Sequence, residues 1–367
     1  VEFTPVTSDA RERSALAAES DKPLSLYFHI PFCRHVCYYC GCNKIVTKHK
    51  DRAEAYLAEL YREIDLKAAL VNRSRPVEQL HLGGGTPTYL SDDQLQQLMM
   101  YVRQKFTLLD NETCDYSIEI DPRELGSDTL RTLRELGFNR VSFGVQDLNE
   151  RVQIAVNRVQ PEAMIDAVMR DARRLGFRSI NIDLIYGLPH QTMLQWQDTL
   201  QSLVELHPAH ISLYCLTLED GTPMQSWVKQ GKLPEPDPDL AADMYHYAED
   251  LLAEAGYHHY EISNWSIPAH DSKHNMAYWL NLPYLGVGPG AHSRLGNYRF
   301  WTVDSPRAYI DKVNQWAKAI HEPIRALDDQ VLQGILSVGG DEYIDADLSA
   351  AETMFLGLRI LDGMDLA

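Results

Sequence analysis

From residue 24 to about residue 217, short apolar runs of strand length alternate with amphipathic helical runs. This alternation restricts the fold more than any other feature of the chain. The strand candidates are residues 24–30, 77–82, 115–120, 140–145, 180–186 and 210–216. Between them, Leu57, Leu60, Tyr61 and Ile64 follow helical spacing, as do Leu95, Leu98, Met99 and Val102. Ser91 with Gln94 predicts a capping box at the start of the second of these helices, and Gly137 and Gly176 stand where helices should stop. Repeated β–α units call for a parallel sheet with right-handed crossovers. Six of them predict an α/β fold, a parallel (β/α)6-type partial TIM barrel, with an open doubly wound sheet as the alternative. The rhythm then changes. Residues 219–239 are rich in Pro, Gly and Asp and read as loop and linker. Residues 240–255, 306–320 and 346–361 read as helices, and 256–305 as short irregular pieces. The expected organisation is an N-terminal arm over 1–22, a barrel core over 23–217 and a smaller α+β accessory region over 218–367.

Composition removes several function classes. The 367 residues carry a formal net charge of −18. That disfavours nucleic-acid binding, which relies on Lys and Arg neutralising phosphates. No apolar run reaches the 18 or so residues of a spanning helix, so stable membrane insertion is not expected. The N-terminus lacks a charged-then-apolar signal pattern, and Val1 in place of Met reads as the start of a fragment.

Six cysteines in a chain of this length do not suggest a disulfide scaffold. Four crowd into one stretch, Cys33, Cys37, Cys40 and Cys42, directly after the first strand, whereas Cys114 and Cys215 lie in strand-like runs and are expected to be buried thiols. A tight cluster without secretion signals points to metal binding in a reducing cytoplasm. A structural zinc site usually takes two spaced ligand pairs, but C-x3-C-x2-C is compact and lies in one loop. Three thiolates on a [4Fe–4S] cluster leave one iron open to a small molecule bearing an amine and a carboxylate. Tyr38 and Tyr39 between the ligands can shield it from water. Cys42 is open to three roles: fourth ligand, radical or proton relay, or bystander.

In α/β barrels functional groups collect at the C-terminal ends of strands. Gly83-Gly84-Gly85-Thr86-Pro87 follows the second strand; the glycines either bring backbone close to a ligand or make a plain tight turn. Glu119 ends the third strand, Gln146-Asp147 the fourth, and Asp183 and Tyr186 lie on the fifth. Charges in apolar strands are costly unless paired, either with a cationic ligand or in a salt bridge. Arg158 is a carboxylate clamp or a solvated helix arginine.

These stretches together resemble a known family. Ser25 to Cys33, Cys40 to Lys44, Gly83 to Pro87, Ile118 to Pro122, Gly144 to Asp147, Val156 to Arg158 and Asn181 to Gly187 are similar to oxygen-independent coproporphyrinogen III oxidase, a radical S-adenosylmethionine (SAM) family. The resemblance implies Cys33, Cys37 and Cys40 as cluster ligands. It implies Tyr27, Tyr39, Gly84, Gly85, Thr86, Glu119, Gln146, Arg158 and Asp183 as contacts of a first SAM, and Ile185 and Thr217 near a second. Cys42, Tyr27 and Glu119 are the candidate catalytic groups. Beyond about residue 205 the match shifts to the related heme chaperones, on Leu216 to Pro223, Tyr260 to Asn264, Gly286 to Ser293 and the H-N-x-x-Y-W motif from His274 to Trp279. In that branch His274 is the implied heme ligand; on residues alone it is equally a core histidine among packed aromatics. The Tyr-rich N-terminal segment and the C-terminal lid of these families are expected to be missing.

Two functions follow from the resemblance. One is oxidative decarboxylation of coproporphyrinogen III propionates to the vinyl groups of protoporphyrinogen IX, by a 5′-deoxyadenosyl radical formed when the reduced cluster cleaves SAM. The other is a heme chaperone that delivers heme to apoproteins and uses cluster and SAM for control. Either needs a tetrapyrrole or heme partner and a flavodoxin-like or ferredoxin-like electron donor. A structural zinc or interaction module leaves the strand-end residues unexplained.

Overall fold

The six predicted strands are all present in the computed structural model, which describes residues 22–69, 71–319 and 339–363. They are β1 (Leu24–Ile30), β2 (Pro76–Gly84), β3 (Asp115–Ile120), β4 (Arg140–Gln146), β5 (Ser179–Tyr186) and β6 (His210–Cys215). All but one residue of the expected arm lies outside the described residues. The helices stand where periodicity puts them. In Asp92–Lys105, Leu95, Leu98, Met99 and Val102 are buried, and the Ser91–Gln94 capping box forms in both directions. Gly137 and Gly176 follow helix ends with φ of 100° and 78°, a conformation glycine adopts without penalty. Met193–Glu205 starts from a second box, Thr192 with Gln195, and seats Trp196 on Pro238–Glu254 through an Nε1–H donated to the Met244 carbonyl at 2.8 Å.

The chain forms two compact units that interleave in sequence. One holds the residues up to Cys33, Asn43–Ser117 and Lys273–Leu358; the other holds Arg34–Cys42, Ile118–Ser272 and the residues from Arg359 on. In the first, β1 lies parallel between β2 and Tyr284–Val287, with Tyr27 opposite His81 on one side and Gly286 on the other. The antiparallel strands His292–Leu295, Tyr298–Trp301 and Gly340–Tyr343 continue that ladder. In the second, β4, β5 and β6 are parallel neighbours, followed by antiparallel Asn264–Ser266 and His258–Glu261. Among the described residues neither ladder closes on itself, in keeping with a partial barrel. The fold is mixed α/β with a mostly parallel central sheet.

Three local expectations are corrected. Residues 256–305 are not irregular but supply strands, including one parallel to β1. Their short Trp-, His- and Gly-rich runs lack the alternation that marks a strand in sequence. The stretch 219–239 contains a helix, Pro223–Lys229, capped by Thr222 and opened by a proline at its first turn. Cys114 is buried as expected, but Cys215 is exposed because β6 surfaces at its last two residues.

Candidate functional site

Burial along the strands singles out the residues expected at the site. In β1 every residue is buried except Tyr27; in β3 every residue except Glu119. In β4 the partly exposed positions are Ser142 and Gln146, and in β5 Asp183 and Tyr186. Parallel strands covered on both faces need near-continuous apolar sequence, so each of these polar side chains marks a place that solvent or a ligand reaches. Gln146 has φ of +70° beside a register shift between Gly144 and Gln146, backbone strain of the kind kept at functional positions.

The cysteine loop is tied down residue by residue. In the second unit the Tyr38 amide donates to the Val156 carbonyl at 3.1 Å, the Cys40 amide to the Cys37 carbonyl at 3.2 Å, and Asn157 Nδ2 to the Val36 carbonyl at 2.7 Å. Glu124 accepts the Arg34 amide at 3.2 Å and lies 3.4 Å from the Arg34 guanidinium. Tyr38 packs edge-on against Trp227, with centroids 4.7 Å apart, and both Tyr38 and Tyr39 rest on the apolar cluster of Val152, Val156, Ile185, Leu188 and Met224. Ile185 is therefore part of that core, whereas Thr217 is exposed. Burial, partly opposed by Arg158, holds the Tyr39 phenol well above its ordinary pKa, so it stays protonated. Cys42 is exposed.

Arg158 is not a solvated helix arginine. It is 9% exposed. Its Nε and Nη2 donate to the Gly144 carbonyl at 3.1 and 2.6 Å, while Nη1 meets Cys37 Sγ at 3.4 Å and Asp121 Oδ2 at 3.2 Å. Arg123 grips the same carboxylate at 2.6 Å and reaches Cys37 Sγ at 4.0 Å. Burial alone would raise the Asp121 pKa, but the two guanidiniums outweigh it and hold it below the ordinary value. Asp121 and Arg123 were not singled out in the sequence; the signal was Asp121 within Ile118 to Pro122, two residues past Glu119. Asp183 accepts Ser142 Oγ–H at 2.6 Å and Asn181 Nδ2–H at 2.7 Å, yet burial and the nearby Glu119 raise its pKa.

In the first unit, Gly85 lies against Pro31 and Phe32, where a Cβ would sit 2.8 Å from the Phe32 carbonyl oxygen, and Gly84 has φ of +112° with the His29 ring at the place of its missing Cβ. The glycines thus let the loop after β2 close onto the end of β1. Thr86 Oγ1 stands 3.6 Å from Cys33 Sγ. Tyr27 stacks on His81 and on His274 at centroid distances of 5.9 and 5.8 Å, and the two imidazoles stack on each other at 4.1 Å. Gln79 Nε2 meets His274 Nδ1 at 3.3 Å, and Tyr278 packs edge-on at 4.9 Å. Burial and the neighbouring His81 hold the His274 pKa well below its ordinary value, so this imidazole is neutral at pH 7. His81 was missed in sequence because period-two alternation says which face a residue takes, not what stacks on it.

The Radical SAM superfamily sequence model matches residues 27–203. The chain is 34% identical over 346 residues to heme chaperone HemW of Lactococcus lactis, covering 94% of this chain and 83% of that protein. It is 37% identical over 346 residues to oxygen-independent coproporphyrinogen III oxidase of Escherichia coli, covering 91% and 75%. The chain belongs to the radical SAM family of these oxidases and chaperones. It is also 46% identical over 247 residues to the Pseudomonas aeruginosa oxidase, of which it spans 53%. The solved radical SAM enzyme coproporphyrinogen III oxidase (HemN) from E. coli matches with a TM-score of 0.76 at 37% identity, over 86% of this chain and 74% of that one.

Radical SAM membership implies a [4Fe–4S] cluster and SAM. The donor set suits the cluster: thiolates are its natural ligands, and Cys33, Cys37 and Cys40 are reduced thiols. Among the described residues no three or more His, Cys, Asp or Glu surround a single-ion position. A cubane does not ask for that, since each thiolate binds its own iron. Among the described residues no helix is long and apolar enough to cross a membrane.

Proposed function

We propose that this radical SAM protein acts on a porphyrinogen in the manner of oxygen-independent coproporphyrinogen III oxidase, converting propionates to vinyl groups, with Cys33, Cys37 and Cys40 as the cluster ligands. The observation that carries this reading is the Arg158 guanidinium held against Cys37 Sγ, in a chain 46% identical over 247 residues to an oxidase of this kind. The cluster and SAM, when bound, supply one-electron cleavage and a hydrogen-abstracting radical. The chain's own residues bind, orient and exclude water. Arg158 and Arg123 hold Cys37 and Asp121, Tyr38 and Tyr39 cover the loop with apolar surface, and Tyr27, Thr86, Glu119, Gln146 and Asp183 offer the polar contacts for SAM. Ile185 and Thr217 are the residues for a second SAM. A flavodoxin-like or ferredoxin-like protein supplies the electrons.

His274 favours a second reading, heme delivery. It is neutral, stands among aromatic rings, and has Nδ1 facing Gln79, which leaves Nε2 as the ligating atom for heme iron. Anaerobic reconstitution with iron and sulfide, followed by reductant, SAM and coproporphyrinogen III, separates the two. Formation of 5′-deoxyadenosine with protoporphyrinogen supports the oxidase. Absence of product, with heme uptake that disappears in His274→Ala, overturns it in favour of the chaperone.

A further inference from the structure

Asp183 stands at the end of a line of buried hydrogen bonds that the reading above does not use. Asn181 Nδ2 donates to Asp183 Oδ1 at 2.7 Å, and Asn181 Oδ1 faces His210 Nδ1 at 2.6 Å. His210 Nε2 faces the Tyr260 hydroxyl at 2.7 Å, and that hydroxyl accepts the Ser272 amide at 3.2 Å. Asn181, His210, Tyr260 and Ser272 are all buried, His210 to 1% exposure.

The chemistry of the groups sets one direction for the whole line. A carboxylate only accepts, so the amide nitrogen of Asn181 must face Asp183 and its oxygen must face His210. Nδ1 of His210 therefore carries the proton. Nε2 is then a bare acceptor and takes the Tyr260 O–H, whose oxygen is left to receive the Ser272 N–H. Flipping Asn181 would set its oxygen against the carboxylate, and moving the His210 proton to Nε2 would set bare Nδ1 against Asn181 Oδ1; either leaves two buried acceptors facing each other. Burial, with Arg140 and His270 adding positive neighbours, keeps the His210 imidazole neutral, as the line requires. Ser142 Oγ–H occupies Asp183 Oδ2 at 2.6 Å, and Ser212 also hydrogen-bonds this carboxylate, so its oxygens are held in a fixed orientation.

We propose that His210 and Tyr260 are positioning residues for Asp183, acting through Asn181 to hold its carboxylate as an oriented acceptor for SAM. This rests on the reading of Asp183 as a SAM contact. His210 lies on β6 and Tyr260 on His258–Glu261, two ladder positions away across Asn264–Ser266. The outer strands of this unit thus serve a residue of its central strand.

Two measurements test it. Nitrogen-15 NMR of the full chain with labelled histidine, the signal assigned by its loss in His210→Gln, should show His210 as the neutral Nδ1–H tautomer at pH 7. An Nε2–H tautomer or an imidazolium overturns the proposal. Equilibrium dialysis with labelled SAM on the anaerobically reconstituted chain should show Tyr260→Phe binding SAM roughly two- to tenfold more weakly, the loss of one neutral hydrogen bond, at unchanged iron content. If Asp183→Asn weakens SAM binding and Tyr260→Phe does not, the positioning role fails while the SAM contact stands. If Asp183→Asn binds SAM like the parent chain, the SAM contact itself fails and takes this proposal with it.

Discussion

Asp147 ends its segment with both carboxylate oxygens out of water, Oδ1 accepting the Asn149 amide at 2.6 Å and Oδ2 the Gln191 side-chain amide at 2.7 Å. Burial outweighs those two bonds and pushes its pKa up to about 6. The folded state therefore holds this proton more tightly than the unfolded chain. The contribution to stability is full below the ordinary carboxylate value and is lost as pH rises through about 6, worth about 3 kcal/mol over that window. Urea unfolding of the parent chain and Asp147→Asn between pH 4 and 7.5 checks the sign: the parent should lose stability relative to the variant as pH rises. At Gly144 a Cβ would stand 2.6 Å from Arg158 Nη2 and 2.8 Å from Gln146 Nε2. Gly144→Ala should cost about 1–3 kcal/mol by overpacking. It should also lower iron uptake on reconstitution, because Arg158 can no longer reach Cys37. Parent-like iron content would show that this contact is dispensable.

At the scale of elements, a charged pair pins the first unit. On the helix Asp51–Ala68, Lys67 Nζ lies 2.7 Å from Glu63 Oε1, both side chains 2% exposed. Glu63 Oε2 accepts the Gly288 amide at 2.8 Å and the Tyr309 hydroxyl at 2.6 Å, and Lys67 donates to the Gly286 carbonyl. One helix thereby holds the strand beside β1 and the helix Pro306–Ala319. Lys67→Met leaves a buried carboxylate without its cation and should cost about 3–5 kcal/mol, whereas adding Glu63→Leu to it should recover part of that loss. Denaturation midpoints of the two variants measure this, and equal losses would mean that the charge is not what matters. Ser91→Ala removes one half of the capping box and should cost about 1 kcal/mol.

For the molecule as a whole, cluster binding is expected to separate from folding. Cys33→Ala, at a partly exposed position, should abolish the brown colour of reconstituted protein while leaving the far-ultraviolet circular dichroism unchanged. Loss of helical signal would instead make the cysteine a structural residue. The Pseudomonas oxidase shares 46% identity over 247 residues, and HemW of L. lactis shares 34% over 346.

The sequence by itself determined the first six long strands with the helices between them, the Ser91–Gln94 capping box and the compact C-x3-C-x2-C loop, because periodicity, caps and motif spacing are local properties of the chain. It also named Tyr27, Glu119, Gln146 and Asp183, since a polar side chain in an apolar strand is visible without coordinates. Only the tertiary structure decided what each side chain meets. It turned Arg158 inward onto Cys37, stacked His81 on His274, brought Cys215 to the surface and set Tyr284–Val287 beside β1. It lined up Asn181, His210 and Tyr260, residues from three strands. The physical reason is that hydrogen bonds and ring stacks are chosen by distance in space, and residues far apart in sequence carry no mark of each other until the chain has folded.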